Sequence, residues 1–131
     1  MKNKYVLAIL LGILLIIVNM ALSMLFTIAF PELQIAYESE PFRAMDDPLM
    51  SLFFLYPIAL AGALTYIWFK TRKSWKTGLD FGIAFGLLMS VPMFLVNFSS
   101  FTFSFVMVAS WALFGFIDVL VAGIALKKLE K

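Results

Sequence analysis

The sequence predicts an all-α, polytopic membrane protein folded as a bundle of four transmembrane helices. Of its 131 residues, 63% are hydrophobic and only 14% are charged, and the mean hydropathy is +1.01. A soluble globular domain is roughly 45–50% apolar and about 25% charged, so this composition excludes an ordinary soluble protein. Disorder is excluded too, because the chain is rich in apolar residues and its net charge is only +2. A chain of this length has room for a single domain, residues 1–131.

Charged residues divide the chain into long apolar blocks, and a transmembrane helix needs about 20 such residues. The blocks between Tyr5 and Pro31 and between Pro48 and Phe69 each fit one helix. The block that begins at Phe81 is too long for one helix and must turn. Small polar residues cluster where the turn is expected: Asn97, Ser99, Ser100, Thr102 and Ser104. The predicted helices therefore lie near residues 5–30, 49–69, 78–97 and 103–126.

Basic residues predict how the four helices are oriented in a cell membrane. They precede the first helix, fill the second connection and follow the fourth helix: Lys2, Lys4, Lys70, Arg72, Lys73, Lys76, Lys127, Lys128 and Lys131. The 31–48 segment instead carries five acidic residues against Arg43 alone. Since cytoplasmic segments are enriched in Lys and Arg, we expect both termini and the 70–77 loop in the cytoplasm. Topology accounts for the acidity of the 31–48 segment, so we expect a solvated loop outside the cell; attraction of cations or of a basic partner is the alternative. Its apolar residues Ile35, Tyr37, Phe42 and Met45 suggest that the loop lies along the outer interface.

Two polar residues inside the predicted spans are candidates for function. Asp118 is the one carboxylate deep in a span, where it costs at least about 2.5 kcal/mol on insertion scales. No Lys or Arg lies in the hydrocarbon region to pair with it, so it is expected to be protonated or hydrogen-bonded. Asn19, in the first span, is expected to hydrogen-bond another helix. Two interpretations of Asp118 stay open: a bridge between helices and, with Asn19, a proton or cation site.

Small residues recur at every fourth position along the third predicted helix. They are Gly78, Gly82, Gly86 and Ser90. This spacing aligns them on one face of the helix, where a second backbone can approach closely. The face predicts helix packing, and the sequence leaves an oligomer interface and a seam within one bundle equally open.

The residue types present exclude several kinds of chemistry. The chain contains no Cys and no His, and so no thiol and none of the commonest metal and haem ligands. No pairing of a nucleophile with a base is recognisable. The sequence therefore predicts no enzymatic activity, no catalytic residue, no metal and no cofactor. The basic residues follow the topology rule, so nucleic-acid binding is not predicted.

The run Trp75-Lys76-Thr77-Gly78, followed by Gly82 and Gly86, resembles a pattern in small four-helix bacterial membrane proteins of uncharacterised activity. The resemblance implies four membrane helices and brings no activity with it. The expected partners are the lipid bilayer and either a second copy or another membrane protein. The sequence favours a structural or accessory subunit that packs through the glycine face. The alternative is a small oligomeric transporter or channel that uses Asp118.

Overall fold

The computed structural model describes residues 3–131 and confirms the all-α fold class. Four of its helical segments are long and apolar enough to cross a membrane. The α-helices are α1 (Lys4–Ala29), α2 (Pro31–Tyr37), α3 (Leu55–Thr71), α4 (Gly78–Ser100) and α5 (Phe105–Leu129). A 3₁₀ turn over Pro48–Phe54 leads into α3, and another over Arg72–Ser74 follows it. Lys2, which contributes to the predicted orientation, lies outside the described residues.

Polar residues set where three of the long helices begin. Asn3, Thr77 and Ser104 cap α1, α4 and α5 by accepting a hydrogen bond from a backbone N–H of the first turn. At α4 the cap is reciprocal, because the Asp80 carboxylate also accepts a hydrogen bond from the N–H of Thr77. Such a capping box satisfies two of the free N–H groups at a helix start. Of the small polar residues that predict the turn, Ser104 fixes the start of α5, whereas Asn97, Ser99 and Ser100 lie within α4, which is longer than predicted.

The 31–48 segment differs from the expected solvated loop, because it contains the short helix α2. Pro31 occupies the start of this helix, where its missing N–H costs nothing. Leu33 is buried, which holds α2 against the bundle. At the far end of the segment, the Leu49 N–H and the Arg43 guanidinium donate to the Asp47 carboxylate and keep its pKa below the ordinary value. A helix of only 7 residues is too short to produce a periodic signal in the sequence.

The four spanning helices form two pairs that meet through α5. One pair is α1 with α3, the other is α4 with α5, and α5 also packs against α1 and α3. All four contribute to one hydrophobic core: Leu11, Leu15, Ala61, Leu64, Trp68, Phe81, Val119, Ala122 and Leu126. We call the end of the bundle that carries residues 70–77 and 127–131 the basic end. The opposite end, with residues 31–54 and 101–104, is the acidic end.

A buried indole joins α3 to the last turn of α5 at the basic end. Trp68 is completely buried, and its Nε1 donates a hydrogen bond to the Glu130 carboxylate at 2.8 Å. The same carboxylate lies 3.6 Å from the Arg72 guanidinium and 3.6 Å from the Lys127 amine. A buried indole N–H needs an acceptor, and here the acceptor is Glu130. This hydrogen bond therefore holds the residues at the end of α5 against α3.

Candidate functional site

Helix α5 carries Asp118 near its midpoint, on the face that packs into the protein. The residue is completely buried. Gly115 and Ala122, one turn to either side of it, are buried as well. Because these neighbours are small, the carboxylate of Asp118 can be approached closely by another helix.

The Asn19 side chain reaches Asp118 from α1. Its Nδ2 atom lies 3.0 Å from each of the two Asp118 carboxylate oxygens. The same nitrogen donates to the carbonyl oxygen of Leu15, one turn earlier in α1, at 2.8 Å. An amide nitrogen has two hydrogens. One therefore serves Leu15 and the other serves the carboxylate of Asp118.

The two polar residues that the sequence singles out separately thus form one pair between α1 and α5, in which Asp118 is buried and Asn19 is half-buried. Within the described residues, the ion pairs join Arg43 to Asp47, and Arg72 and Lys127 to Glu130, and none involves Asp118. A primary amide can donate to an ionised carboxylate through nitrogen or accept from a protonated one through oxygen. Asn19 can therefore pair with Asp118 in either protonation state.

A third polar side chain near this pair comes from α3. The Tyr56 hydroxyl and the Asp118 carboxylate are close enough to interact electrostatically. Sequence reasoning missed Tyr56, because it lies in the first turn of α3 beside Pro57 and has no spacing that would indicate its direction. Tyr56 is 38% exposed, so α3 contributes a partly exposed polar group beside the pair that joins α1 to α5.

The glycine face of α4 packs against α5 within the same chain. Gly78 is in direct contact with the backbone of Gly123. A Cβ atom added to Gly82 would lie 2.8 Å from the Cα of Leu120, which is closer than a real Cβ atom approaches a non-bonded heavy atom in proteins. A Cβ at Gly86 would lie 2.8 Å from the Phe116 ring. The sequence leaves open whether the glycine face forms an oligomer interface or a seam within one bundle. In the structure these three glycines form the seam within the bundle.

Ser90, the fourth residue of the series, is also buried. It lines a groove of about 410 Å³ that is bounded mainly by apolar side chains. The groove lies between the two helices and is lined by Leu87, Ser90, Val91, Phe94, Leu95, Ala109, Ala112, Leu113 and Phe116. The series of small residues therefore ends at the groove between α4 and α5.

These features define the class of the protein: an α-helical membrane protein with four candidate spans and a polar pair between the first span and the last. Within residues 3–131, no group of three or more carboxylates is arranged to hold a metal ion. Comparisons with protein-family models, curated proteins and solved structures find no match to this chain. Its function must therefore be argued from its own residues.

Proposed function

We propose that the protein is a structural or accessory subunit of the cell membrane, without catalytic activity of its own. The observation that supports this most directly is that the polar pair and the glycine face both make contacts between helices of the same chain. The Asn19 amide meets the Asp118 carboxylate, and the glycine face of α4 is covered by α5. Together these two features join α1 and α4 to α5 within the same chain.

The groove between α4 and α5 is the surface through which such a subunit would meet its partner. Its lining is apolar, and Ser90, Ala109 and Ala112 provide small side chains that let another backbone approach. Helices associate in lipid through close packing rather than through a hydrophobic driving force. The partner is therefore a transmembrane helix, from a second copy of this chain or from another membrane protein.

Filling the groove tests this proposal. Ala112→Phe places a ring in the groove, whereas Ala84→Phe adds the same volume at an exposed position of α4 outside its lining. A photocrosslinking residue at Leu113 should capture a membrane partner in native membranes, and Ala112→Phe should abolish the adduct. Ala84→Phe should leave the adduct unchanged. Light scattering in mild detergent then distinguishes a second copy from a different protein.

Equal adduct yields from Ala112→Phe and Ala84→Phe, with both variants folded, would contradict a role for the groove. The absence of any adduct at Leu113 in native membranes would do the same. Thermal unfolding in detergent establishes that each variant is folded before its adduct is measured.

A second candidate function is proton or cation handling at Asp118 in a small transporter or channel. It is favoured by the polar group from each of three helices, Asn19, Tyr56 and Asp118, around a carboxylate that forms no ion pair within the described residues. Intramembrane carboxylates in such settings carry protons or ions in many transport proteins. The Asn19 amide is suited to this role because it can pair with Asp118 before and after proton uptake.

Asp118→Asn separates the two candidate functions, because it keeps the shape and hydrogen bonding of the side chain but does not titrate. If Asp118 carries protons, proteoliposomes with an internal pH dye should show flux for the wild type and none for Asp118→Asn. If Asp118 is structural, Asp118→Asn should retain the partner adduct and the wild-type stability, and Asp118→Leu should lower both the unfolding free energy and the adduct yield.

We also propose that the basic end faces the cytoplasm, from the distribution of Lys and Arg. Because the chain has no Cys, single-cysteine variants report orientation without background. Ser39→Cys at the acidic end and Ser74→Cys at the basic end are both exposed positions. An impermeant maleimide should label Ser39→Cys on intact cells and Ser74→Cys only after permeabilisation. The reverse pattern would invert the proposed topology.

A further inference from the structure

Aromatic side chains from three segments of the chain pack together at the acidic end. Phe103 is stacked between Phe42 and Phe101, with ring centroids 5.6 and 5.3 Å away. Trp111 packs edge-on against Phe103 at 5.3 Å, and its Nε1 donates a hydrogen bond to the Tyr37 hydroxyl at 2.6 Å. These five residues form what we call the aromatic cluster. It holds the end of α2 and the following loop against the turn between α4 and α5.

A cavity of about 280 Å³ lies beside the aromatic cluster, between residues 36–42 and 101–107. Phe42, Phe101 and Phe103 line it together with polar residues from both segments: Ser39, Glu40, Thr102 and Ser104. Ligand pockets in proteins usually measure roughly 300–1,000 Å³, so this cavity is slightly smaller than that range and has room for a very small molecule only.

The charge around the cavity is negative. Of the described residues that line it, Glu40 alone is charged. Arg43, the basic residue of the 31–48 segment, lies 3.1 Å from Asp47, so its charge is paired away from Glu40. A lining with one sign of charge concentrates ions of the opposite sign.

The lining also indicates which kind of cation fits. Calcium and magnesium prefer several oxygen ligands in a regular arrangement. An organic ammonium group is instead attracted by the faces of aromatic rings and by a single carboxylate. The Phe42 and Phe101 rings and the Glu40 carboxylate match the second set of requirements.

We propose that this cavity binds a small organic ammonium cation, with Glu40 providing the opposite charge and Phe42 and Phe101 providing ring faces. The ammonium group can belong to a free cation or to the headgroup of a lipid at the membrane surface, since the chemistry is the same. This site is separate from the Asn19–Asp118 pair and from the groove between α4 and α5. It does not depend on the proposed function.

Titration of the isotope-labelled protein in detergent micelles tests the proposal. Choline chloride is the probe, and 3,3-dimethyl-1-butanol is the neutral molecule of matching shape. The indole N–H resonance of Trp111 and the amide resonances of Phe101 and Phe103 report on the cavity. Choline should shift them saturably, and the neutral alcohol should bind more weakly by about fivefold or more, because it lacks the charge that the rings attract. Equal binding of the two molecules would overturn the proposal.

Two variants and a matched control assign the binding to this cavity. Glu40→Gln and Phe101→Leu should each weaken choline binding by about two- to fivefold, since each removes one attraction at a partly exposed site. Glu38→Gln makes the same charge change in the same segment, but Glu38 lies outside the lining, and choline affinity should stay at the wild-type value. Equal effects of Glu40→Gln and Glu38→Gln would overturn the proposal, because they would indicate attraction by the whole acidic segment.

An unchanged Trp111 indole resonance in the choline-free protein establishes that a variant retains the cavity. If Phe101→Leu alters this resonance, the choline affinity of Glu40→Gln is used instead, because Glu40 is exposed and its substitution should not disturb the fold. Nanodiscs then identify the source of the ammonium group. Free choline that binds equally well in phosphatidylcholine and phosphatidylglycerol membranes indicates a soluble cation, and binding weakened only in phosphatidylcholine indicates competition with the lipid headgroup. No saturable shift in either membrane would overturn the proposal.

Discussion

Helix α5 is held by two seams that work in opposite ways. Against α4 it packs through glycine, with Gly78 touching Gly123 and Gly82 facing Leu120 at the distance of backbone contact. Against α1 it is joined by a polar contact, in which the Asn19 amide meets the Asp118 carboxylate at 3.0 Å. The first seam depends on the absence of side chains, and the second depends on the presence of two particular ones.

The difference has consequences for what each seam tolerates. In lipid, close backbone packing gains dispersion energy that no substituent can replace, so any added volume at Gly82 must move a helix. A hydrogen bond between spans contributes only about 0.6 kcal/mol on average and at most about 1.7, and it survives substitutions that keep donor and acceptor. The glycine seam should therefore be sensitive to size, and the polar seam should be sensitive to chemistry.

The largest effect is expected from Gly82→Leu. Because an added Cβ already lies 2.8 Å from the Leu120 backbone, the variant should lose about 3 kcal/mol of unfolding free energy or fail to fold. Gly62→Leu is the matched control, since nothing lies within 4 Å of a Cβ at that position. SDS titration in micelles, followed by far-UV circular dichroism, measures both. Equal unfolding free energies for the two variants would show that the glycine seam does not limit packing.

Asp118→Leu is expected to come next, with a loss of about 1–2 kcal/mol, because Asn19 loses its partner in another helix. Asp118→Asn should stay within about 0.5 kcal/mol of the wild type, since the amide still pairs with Asn19. The double variant Asn19→Leu with Asp118→Leu should recover part of the loss, because no unpaired polar group remains. The same SDS titration provides the double-mutant cycle. Strictly additive losses would indicate that the two residues act separately.

A smaller difference should appear within the glycine seam itself. The atom nearest to an added Cβ is a ring carbon of Phe116 at Gly86 and a backbone carbon of Leu120 at Gly82. A side chain can rotate away more easily than a backbone can move. Gly86→Ala should therefore cost about 1 kcal/mol and Gly82→Ala clearly more. If the order of unfolding free energies is reversed, the Phe116 ring is held as firmly as the backbone.

The smallest effect is expected at Gly12, where α1 packs against α3. An added Cβ would lie 3.6 Å from the Ile58 Cα and 3.7 Å from the Ala61 Cβ, which are ordinary contact distances. Gly12→Ala should leave the unfolding free energy unchanged or raise it by up to about 1 kcal/mol, because alanine is the better helix former. A loss as large as that of Gly82→Ala would show that α1 and α3 are packed as closely as α4 and α5.

Much of the architecture was accessible from the sequence, because the relevant signals are local. The apolar blocks predict four spans, and the four spanning helices lie over those blocks. Gly78, Gly82 and Gly86 could be recognised as a packing face from their spacing alone. Asp118 and Asn19 stood out because a polar residue in an apolar block is costly wherever the block lies. The helix α2 was not predicted, because a helix of 7 residues produces no recognisable periodic pattern.

The tertiary structure alone decided which groups meet. Asn19 and Asp118 are 99 positions apart in the chain. No local sequence pattern predicts that α1 rather than α3 provides the hydrogen-bond partner of the Asp118 carboxylate. The aromatic cluster likewise joins Tyr37 to Trp111 across 74 positions. Length and spacing determine which segments span a membrane and which face of each is suited to packing. The partner of each face depends on how all four helices share one limited interior, and only the assembled bundle determines that.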